Sequence, residues 1–288
     1  MTFGPLLAIV GETASGKSDL AMEIAKRFNG EIICPDSWTF YEGFDIGTAK
    51  PSLTDRQTIP HHLIDIVDPR AGFSAAVFKE KAQQAIADVL GRGKLPILAG
   101  GSGLYIDSVL YDYGFLQQSE PTERSALNTM DLQAVVKLAQ ERGLDMTAID
   151  IRNKRRVIRH IENNGVRPTK KEMRPHTLIV GLHIPRDELA RRIEARVDGM
   201  ISEGLEAEVR QLSLRYSWEV EPMKGIGYRE WHDYFFGLKT LPETRQKIIQ
   251  NTKQLAKKQR TWFRRNNSIQ WVNSRSEIVD LVTTFLNN

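Results

Sequence analysis

The sequence predicts an α/β protein, a P-loop-type parallel sheet flanked by helices with a small helical insertion domain. Three observations predict it. "GETASGKS" (11–18) has the spacing of a phosphate-gripping loop, two glycines around four residues and then a lysine and a serine. A continuous apolar run, "LLAIV" (6–10), precedes it, as in a strand buried on both faces. After it come Leu20, Ile24 and Phe28 at intervals of four, one face of a helix, and then "EIIC" (31–34) as a second strand leading to Asp36. Residues 6–34 therefore read strand–loop–helix–strand, the unit that builds parallel sheets.

Further along, 73–93 reads as a helix with a glycine stop, and 95–110 as a strand, a second glycine turn and a helix. In an open parallel sheet, ligands sit at the carboxyl ends of the strands. The two glycine loops and Asp36 all follow strands and are expected to share one cleft. Residues 111–150 are polar and irregular except for a helix over 131–143, and read as a small helical insertion between core segments 1–110 and 151–288. "LIVGLHI" (178–184) is one more strand. The stretch 186–213 is helical, with Leu189, Ile193, Val197 and Met200 on one side, and 243–265 is a final long helix.

Composition narrows the function classes. The chain has 288 residues, 41% hydrophobic and 26% charged, which is ordinary for a soluble globular protein. No apolar run approaches the ~20 residues of a membrane span, and "MTFGPLLAIV" lacks the basic start of a signal peptide. One cysteine, Cys34, leaves no internal disulfide and no multi-cysteine zinc site. A cytoplasmic, monomeric protein with no membrane partner is expected. The net charge of +4 says little about nucleic acid, but its distribution says more. Arg152, Lys154, Arg155, Arg156 and Arg159 cluster, and Lys253, Lys257, Arg260 and Arg264 recur at spacings of four, three and four, a stripe along one helix face. No acid occurs between Glu243 and Glu277. A mixed-sign solvated face is the bland alternative; RNA contact suits the unmixed stripe better. Ile248, Thr252, Leu255 and Trp262 lie on the other side of that helix and face the core.

In the phosphate loop, Gly11 and Gly16 allow the tight turn, the backbone of Glu12, Thr13, Ala14 and Ser15 supplies inward N–H groups, Lys17 supplies a mobile charge, and Ser18 opens the helix as a magnesium ligand. The loop alone does not name its ligand. A kinase or ATPase wants an acid at the end of a nearby apolar strand; Asp36 and Asp65 are the candidates, and neither follows a long one.

The motifs "GETASGKS", "DSWTFYEGFDIGTAKP" (36–51), "IPHHLIDIVDP" (59–69), "FSAAVFKEKA" (73–82), "PILAGGSGLYI" (96–106), "NKRRVIRHIE" (153–162), "GIGYRE" (225–230) and "TKQLAKKQRTWFRR" (252–265) stand in the order found in tRNA dimethylallyltransferases, and the chain resembles that family over almost its whole length. The resemblance implies transfer of a dimethylallyl group from dimethylallyl diphosphate to N6 of the adenosine 3′ of the anticodon in a tRNA anticodon stem-loop, with Mg2+ and without ATP. It implies Asp36 as general base, with a magnesium-organising or helix-capping acid as the alternative. Lys17, the loop N–H groups and magnesium would stabilise the leaving diphosphate, joined by hydroxyls of Thr13 and Ser102 and the guanidinium of Arg229, for which a surface ion pair is the alternative. It also implies RNA contacts at Asp36, Ser37, Trp38, Thr39, Ser102, Lys154, Arg155, Arg156, Arg159, Lys253, Lys257, Arg260 and Arg264. An adenine-nucleotide prenyltransferase would share the diphosphate site without needing the basic helix, and a small-metabolite kinase is the reading from another class. The chain departs from the family at Glu12, where proline is usual, at Thr39, where "DSxQ" has glutamine, and in an insertion shorter by about a helical hairpin. Glutamate at 12 adds negative charge beside the diphosphate unless it points outward. His61 and His62 read as packing or hydrogen-bonding residues rather than a metal pair, Trp262 and Phe263 as packing residues, and Cys34 as a buried strand residue.

Overall fold

The structure is a computed structural model, and it describes residues 3–115, 121–147, 149–166 and 169–287. In chain order its elements are Leu6–Val10 (β1), Lys17–Arg27 (α1), Gly30–Ile33 (β2), Leu53–Thr58 (α2), His61–His62 (β3), Ala75–Gly91 (α3), Leu95–Gly100 (β4), Gly103–Leu110 (α4), Pro121–Thr129 (α5), Leu132–Glu141 (α6), Lys154–Glu162 (α7), Thr177–Leu182 (β5), Arg186–Ser202 (α8), Leu205–Arg215 (α9), Trp231–Phe235 (α10), Leu241–Phe263 (α11), Ile269–Val272 (β6) and Arg275–Asn287 (α12), with a 3-10 turn at Glu221–Lys224.

The six strands form one parallel sheet in the order β3-β2-β4-β1-β5-β6. Every residue of β1 is buried, as its continuous apolar run requires for a strand covered on both faces. Leu20 and Ile24 of α1 and Ile278 and Val282 of α12 pack with Ile9 and Val180 in one apolar cluster. The chain divides into two compact units, one of residues 1–110 and 173–288 and one of Tyr111–Glu172. The second unit has its own core, where Val157, Ile158 and Ile161 of α7 meet Val135 and Ala139 of α6 and Leu127 of α5.

Four sequence expectations change. The insertion runs to Glu172 rather than ending at 150, because the apolar face of α7 packs on α5 and α6. The stretch around 121–129, expected to be irregular, is helical; its buried Leu127 is too little apolar signal to show a period, and Arg124 is anchored to Glu162 at 2.5 Å. The helical stretch 186–213 is two helices, broken where Gly204 takes φ 102°. The helix over 243–265 is not the last element, since β6 adds to the sheet edge and α12 covers it. Residues 116–120 of the stretch expected to be irregular lie outside the described residues. No helix among the described residues is long and apolar enough to cross a membrane.

Candidate active site

β1 delivers the chain to Gly11, and Gly16, in the left-handed region at φ 86°, turns it into α1 at Lys17. The loop between is braced from outside. The backbone N–H of Thr13 donates to Gln259 Oε1 at 2.7 Å, and the carboxylate of Glu12 is gripped by the guanidinium of Arg260, through Nε and through Nη2 at 3.0 Å. Arg192 of α8 donates to the carbonyl of Ser15 at 3.3 Å. Lys17 Nζ folds back onto the carbonyl of Glu12 at 2.8 Å, and the buried Ser15 hydroxyl has no hydrogen-bond partner among the described residues. An ammonium with donors to spare and an orphaned hydroxyl in a loop of this shape are what an anion would satisfy. Glu12 does not point outward. It is buried, and its charge is answered by Arg260.

Lys17 sits in a field that sequence reasoning reads only in part. Burial pushes its amine down to about 8, the Arg196 guanidinium pushes the same way, and Asp36 and Glu12 oppose them. Arg196 is itself pulled down by burial and held up by Asp36. Lys17, Arg196 and Asp36 therefore share one locale at the carboxyl ends of β1 and β2, two part-buried cations within electrostatic reach of a carboxylate. Arg192, Arg196 and Gln259 are the residues that sequence reading passes over. The available signal was two arginines four apart beside the apolar stripe of α8, but nothing in their spacing says that burial aims them at the loop.

Asp36 is carried by a hydrogen-bonded turn. Its Oδ1 accepts from the N–H of Trp38 at 3.1 Å, and its carbonyl accepts from the hydroxyl of Thr39 at 3.3 Å. Thr39 is buried and turned into this loop, so it shapes the turn, whereas Ser37 and Trp38 are part-exposed beside it. Beneath, Phe40 packs on Phe78 and Tyr105 with ring centroids 5.6 and 5.7 Å apart. Farther along, the carboxylate of Glu208 in α9 accepts from the N–H groups of Asp45, Ile46 and Gly47 at 3.2, 2.8 and 3.1 Å and from the Tyr228 hydroxyl at 2.8 Å. Asp65 is held by Lys50 and Arg56, so this acid serves the loop scaffold.

The second glycine turn closes on α11. A Cβ at Gly103 would lie 2.3 Å from Trp262 Cδ1, and the indole is fixed by its N–H to Asp107 at 3.0 Å. Ser102 stands part-exposed between β4 and α4. Arg229 Nε donates to Glu230 at 3.0 Å with its side chain half exposed; the guanidinium to which Lys17 responds is that of Arg196. Cys34 is buried, which pushes its thiol up to about 12 and leaves no nucleophile at neutral pH. His61 Nδ1 lies 2.7 Å from the Ile59 carbonyl and His62 Nε2 lies 2.7 Å from Glu31. Among the described residues no three His, Cys, Asp or Glu side chains gather as a metal cage. Magnesium does not need one, since it binds through one or two protein oxygens with phosphate oxygens and waters. The exposed hydroxyl of Ser18 at the loop's end fits that donor set.

The basic stripe of α11 is partly neutralised by acids from other elements. Lys253 pairs with Glu194 of α8 at 2.6 Å, and Arg260 with Glu12. Lys257 and Arg264, with Arg186 of α8, line a groove and form no ion pair among the described residues. A cleft of 480 Å³ opens beside it, lined by Arg186, Arg264, His183 and the part-exposed Trp271. In the second unit, Lys154 donates to the carbonyl of Asn128 at 2.7 Å, Arg159 pairs with Glu162, and Arg155 and Arg156 are exposed on α7.

The sequence pattern of the IPP transferase family matches residues 39–266. The chain is 38% identical over 282 residues to the tRNA dimethylallyltransferase of Bacillus subtilis, covering 93% of this chain and 90% of that protein. It is 42% identical over 275 residues to that of Roseiflexus, covering 91% and 90%. The crystal structure of the full-length tRNA isopentenylpyrophosphate transferase of Bacillus halodurans superposes with a TM-score of 0.77 at 36% identity, covering 98% of this chain and 97% of the other. A eukaryotic dimethylallyltransferase acting on tRNA superposes with a TM-score of 0.75 at 25% identity, covering 94% and 74%.

Proposed function

The chain belongs to the IPP transferase family, and from that premise we propose that it transfers a dimethylallyl group from dimethylallyl diphosphate to N6 of the adenosine 3′ of the anticodon in tRNA, releasing diphosphate. The observation that supports this reading is that Lys17, Arg196 and Asp36 lie within electrostatic reach of one another beside the loop, two part-buried cations for a leaving diphosphate and one carboxylate for a proton. N6 attacks C1 of the dimethylallyl group as the C1–O bond to diphosphate breaks. The N6 proton passes to Asp36, and the electron pair of the broken bond leaves with the diphosphate. Adenine N6 is a poor nucleophile, and a positioned base contributes ~10²–10⁴-fold. The loop N–H groups, Lys17 and Arg196 meet negative charge that grows in the transition state, where stabilisation raises the rate. Magnesium, held by Ser18 and the diphosphate oxygens, would share that charge.

The target base must leave its stack to reach Asp36, which costs ~ a few kcal/mol and least in a loop. Lys257, Arg264 and Arg186, which line one groove, are candidates to meet RNA phosphates on the core unit, and the exposed Arg155 and Arg156 of α7 are candidates on the other. The test offers labelled dimethylallyl diphosphate with total tRNA, with AMP, and with ATP plus metabolites. Label is expected in tRNA alone. Label only in AMP, or ATP turnover without transfer, overturns the reading. Asp36→Asn is expected to abolish transfer and spare diphosphate binding, and near-normal transfer by that variant removes Asp36 from its role.

A further inference from the structure

A glutamate in a loop built for anions needs an explanation. Glu12 is buried, so its carboxylate cannot be screened by water, and an unanswered charge there would repel any phosphate. The fold answers it with a two-pronged ion pair from Arg260, 248 residues along the chain, on the helix that packs over the loop. Its neighbours repeat the link, since Thr13 N–H donates to Gln259, the residue before Arg260. The main chain of Glu12 makes a separate contact. Its carbonyl is where Lys17 Nζ rests. One residue thus has its side chain tied to α11 and its backbone in contact with the lysine that would take the diphosphate.

We propose that Glu12 and Arg260 form a positioning pair that holds the first half of the phosphate loop against α11 in the shape that receives diphosphate. The inference rests on the loop being the diphosphate site. Neither side chain touches the ligand. Their pairing withdraws the Glu12 charge from the anion and fixes the peptide planes of residues 12 and 13, so the N–H groups and Lys17 start from one arrangement. Without the pair the loop must be ordered by the ligand, and affinity falls by that cost. A Glu12 that was merely a tolerated charge predicts the opposite sign, since neutralising it would then tighten anion binding.

The experiment titrates inorganic diphosphate with magnesium into the full chain and its variants by calorimetry, and separately measures kcat and KM for dimethylallyl diphosphate with tRNA. Glu12→Gln and Arg260→Met are each expected to weaken diphosphate binding and raise KM about tenfold while kcat changes far less. The double variant should be no weaker than the worse single, the non-additivity of partners in contact. Glu12→Asp keeps the charge but shortens the reach, so it should lose affinity too, and thermal melting of each variant keeps loss of fold separate from loss of binding. Unchanged or tighter binding by Glu12→Gln, full affinity in Glu12→Asp, or additive losses overturn the positioning role. Failure of the unaltered chain to bind diphosphate would instead sink the reading of the loop itself.

Discussion

Lys17 is the residue on which the electrostatics of the proposed site converge. Its amine is brought to about 8 by burial first and Arg196 second. If the loop holds diphosphate as proposed, only the protonated form attracts it, and the folded pKa lies below the ordinary 10.5, so the grip is full well below about 8 and is lost as pH rises through it. Burial penalises the charged amine, so losing that proton relieves the fold; the alkaline fall is one of binding, not unfolding. A plot of log kcat/KM against pH is therefore expected to bend downward near about 8 in the free enzyme. Lys17→Arg keeps its charge and should lose that bend while losing rate. Replacing Arg196 by Gln removes the second cause and should move the bend upward. A bend that stays put in both variants assigns it to another group. Asp36 and Lys17 stand out in the sequence because each lies in a local motif; Arg196 does not, because its place beside them comes from the packing of residues distant in sequence.

At the scale of elements, α11 shows how a stripe legible in sequence acquires partners that are not. The absence of acids along 244–276 is real, yet Glu194 and Glu12 arrive from α8 and the phosphate loop to neutralise Lys253 and Arg260. The stripe's RNA contribution should therefore be uneven. Lys257→Ala with Arg264→Ala is expected to reduce the slope of log affinity for tRNA against log salt by about 1.4–1.8, some 0.7–0.9 for each phosphate no longer neutralised. Lys253→Ala should change it by much less, because the charge it removes is already answered by Glu194. Filter binding at several salt concentrations reads this, and equal slopes for all three changes would count against it. The apolar periods of α1, α8 and α11 were readable because each buries one face. The break at Gly204 was not, since a glycine can end a helix or sit inside one, and α12 carried the period of Ile278, Val282 and Phe285 unread beyond the basic stripe.

For the molecule as a whole, the sheet is tied by buried charge as well as apolar packing. Glu31 of β2 is buried and binds His62 of β3 and, beyond α3, Arg92 and Lys94. Burial alone would raise its carboxyl, but hydrogen bonds from Lys94, His62 and Arg92 outweigh it and hold it down to about 2. A folded pKa below the unfolded 4.5 gives stability that is present above about 4.5 and lost as pH falls toward about 2. Glu31→Gln is expected to destabilise the protein by about 2–3 kcal/mol at neutral pH and to flatten the acid limb of its stability curve, read by denaturant unfolding at several pH values. An acid limb as steep as before would assign it to other carboxylates. The strand order follows from local pairings that sequence reading could anticipate only in part, because β3 is two residues long. The long-range ties of the site also set a schedule for biosynthesis. The loop that carries Asp36 takes its shape from Glu208, 161 residues beyond Gly47, and the phosphate loop is braced by Gln259, 246 residues beyond Thr13. A nascent chain on the ribosome therefore has every residue of β1, its loop and α1 long before Glu208 and Gln259 emerge to shape the two loops.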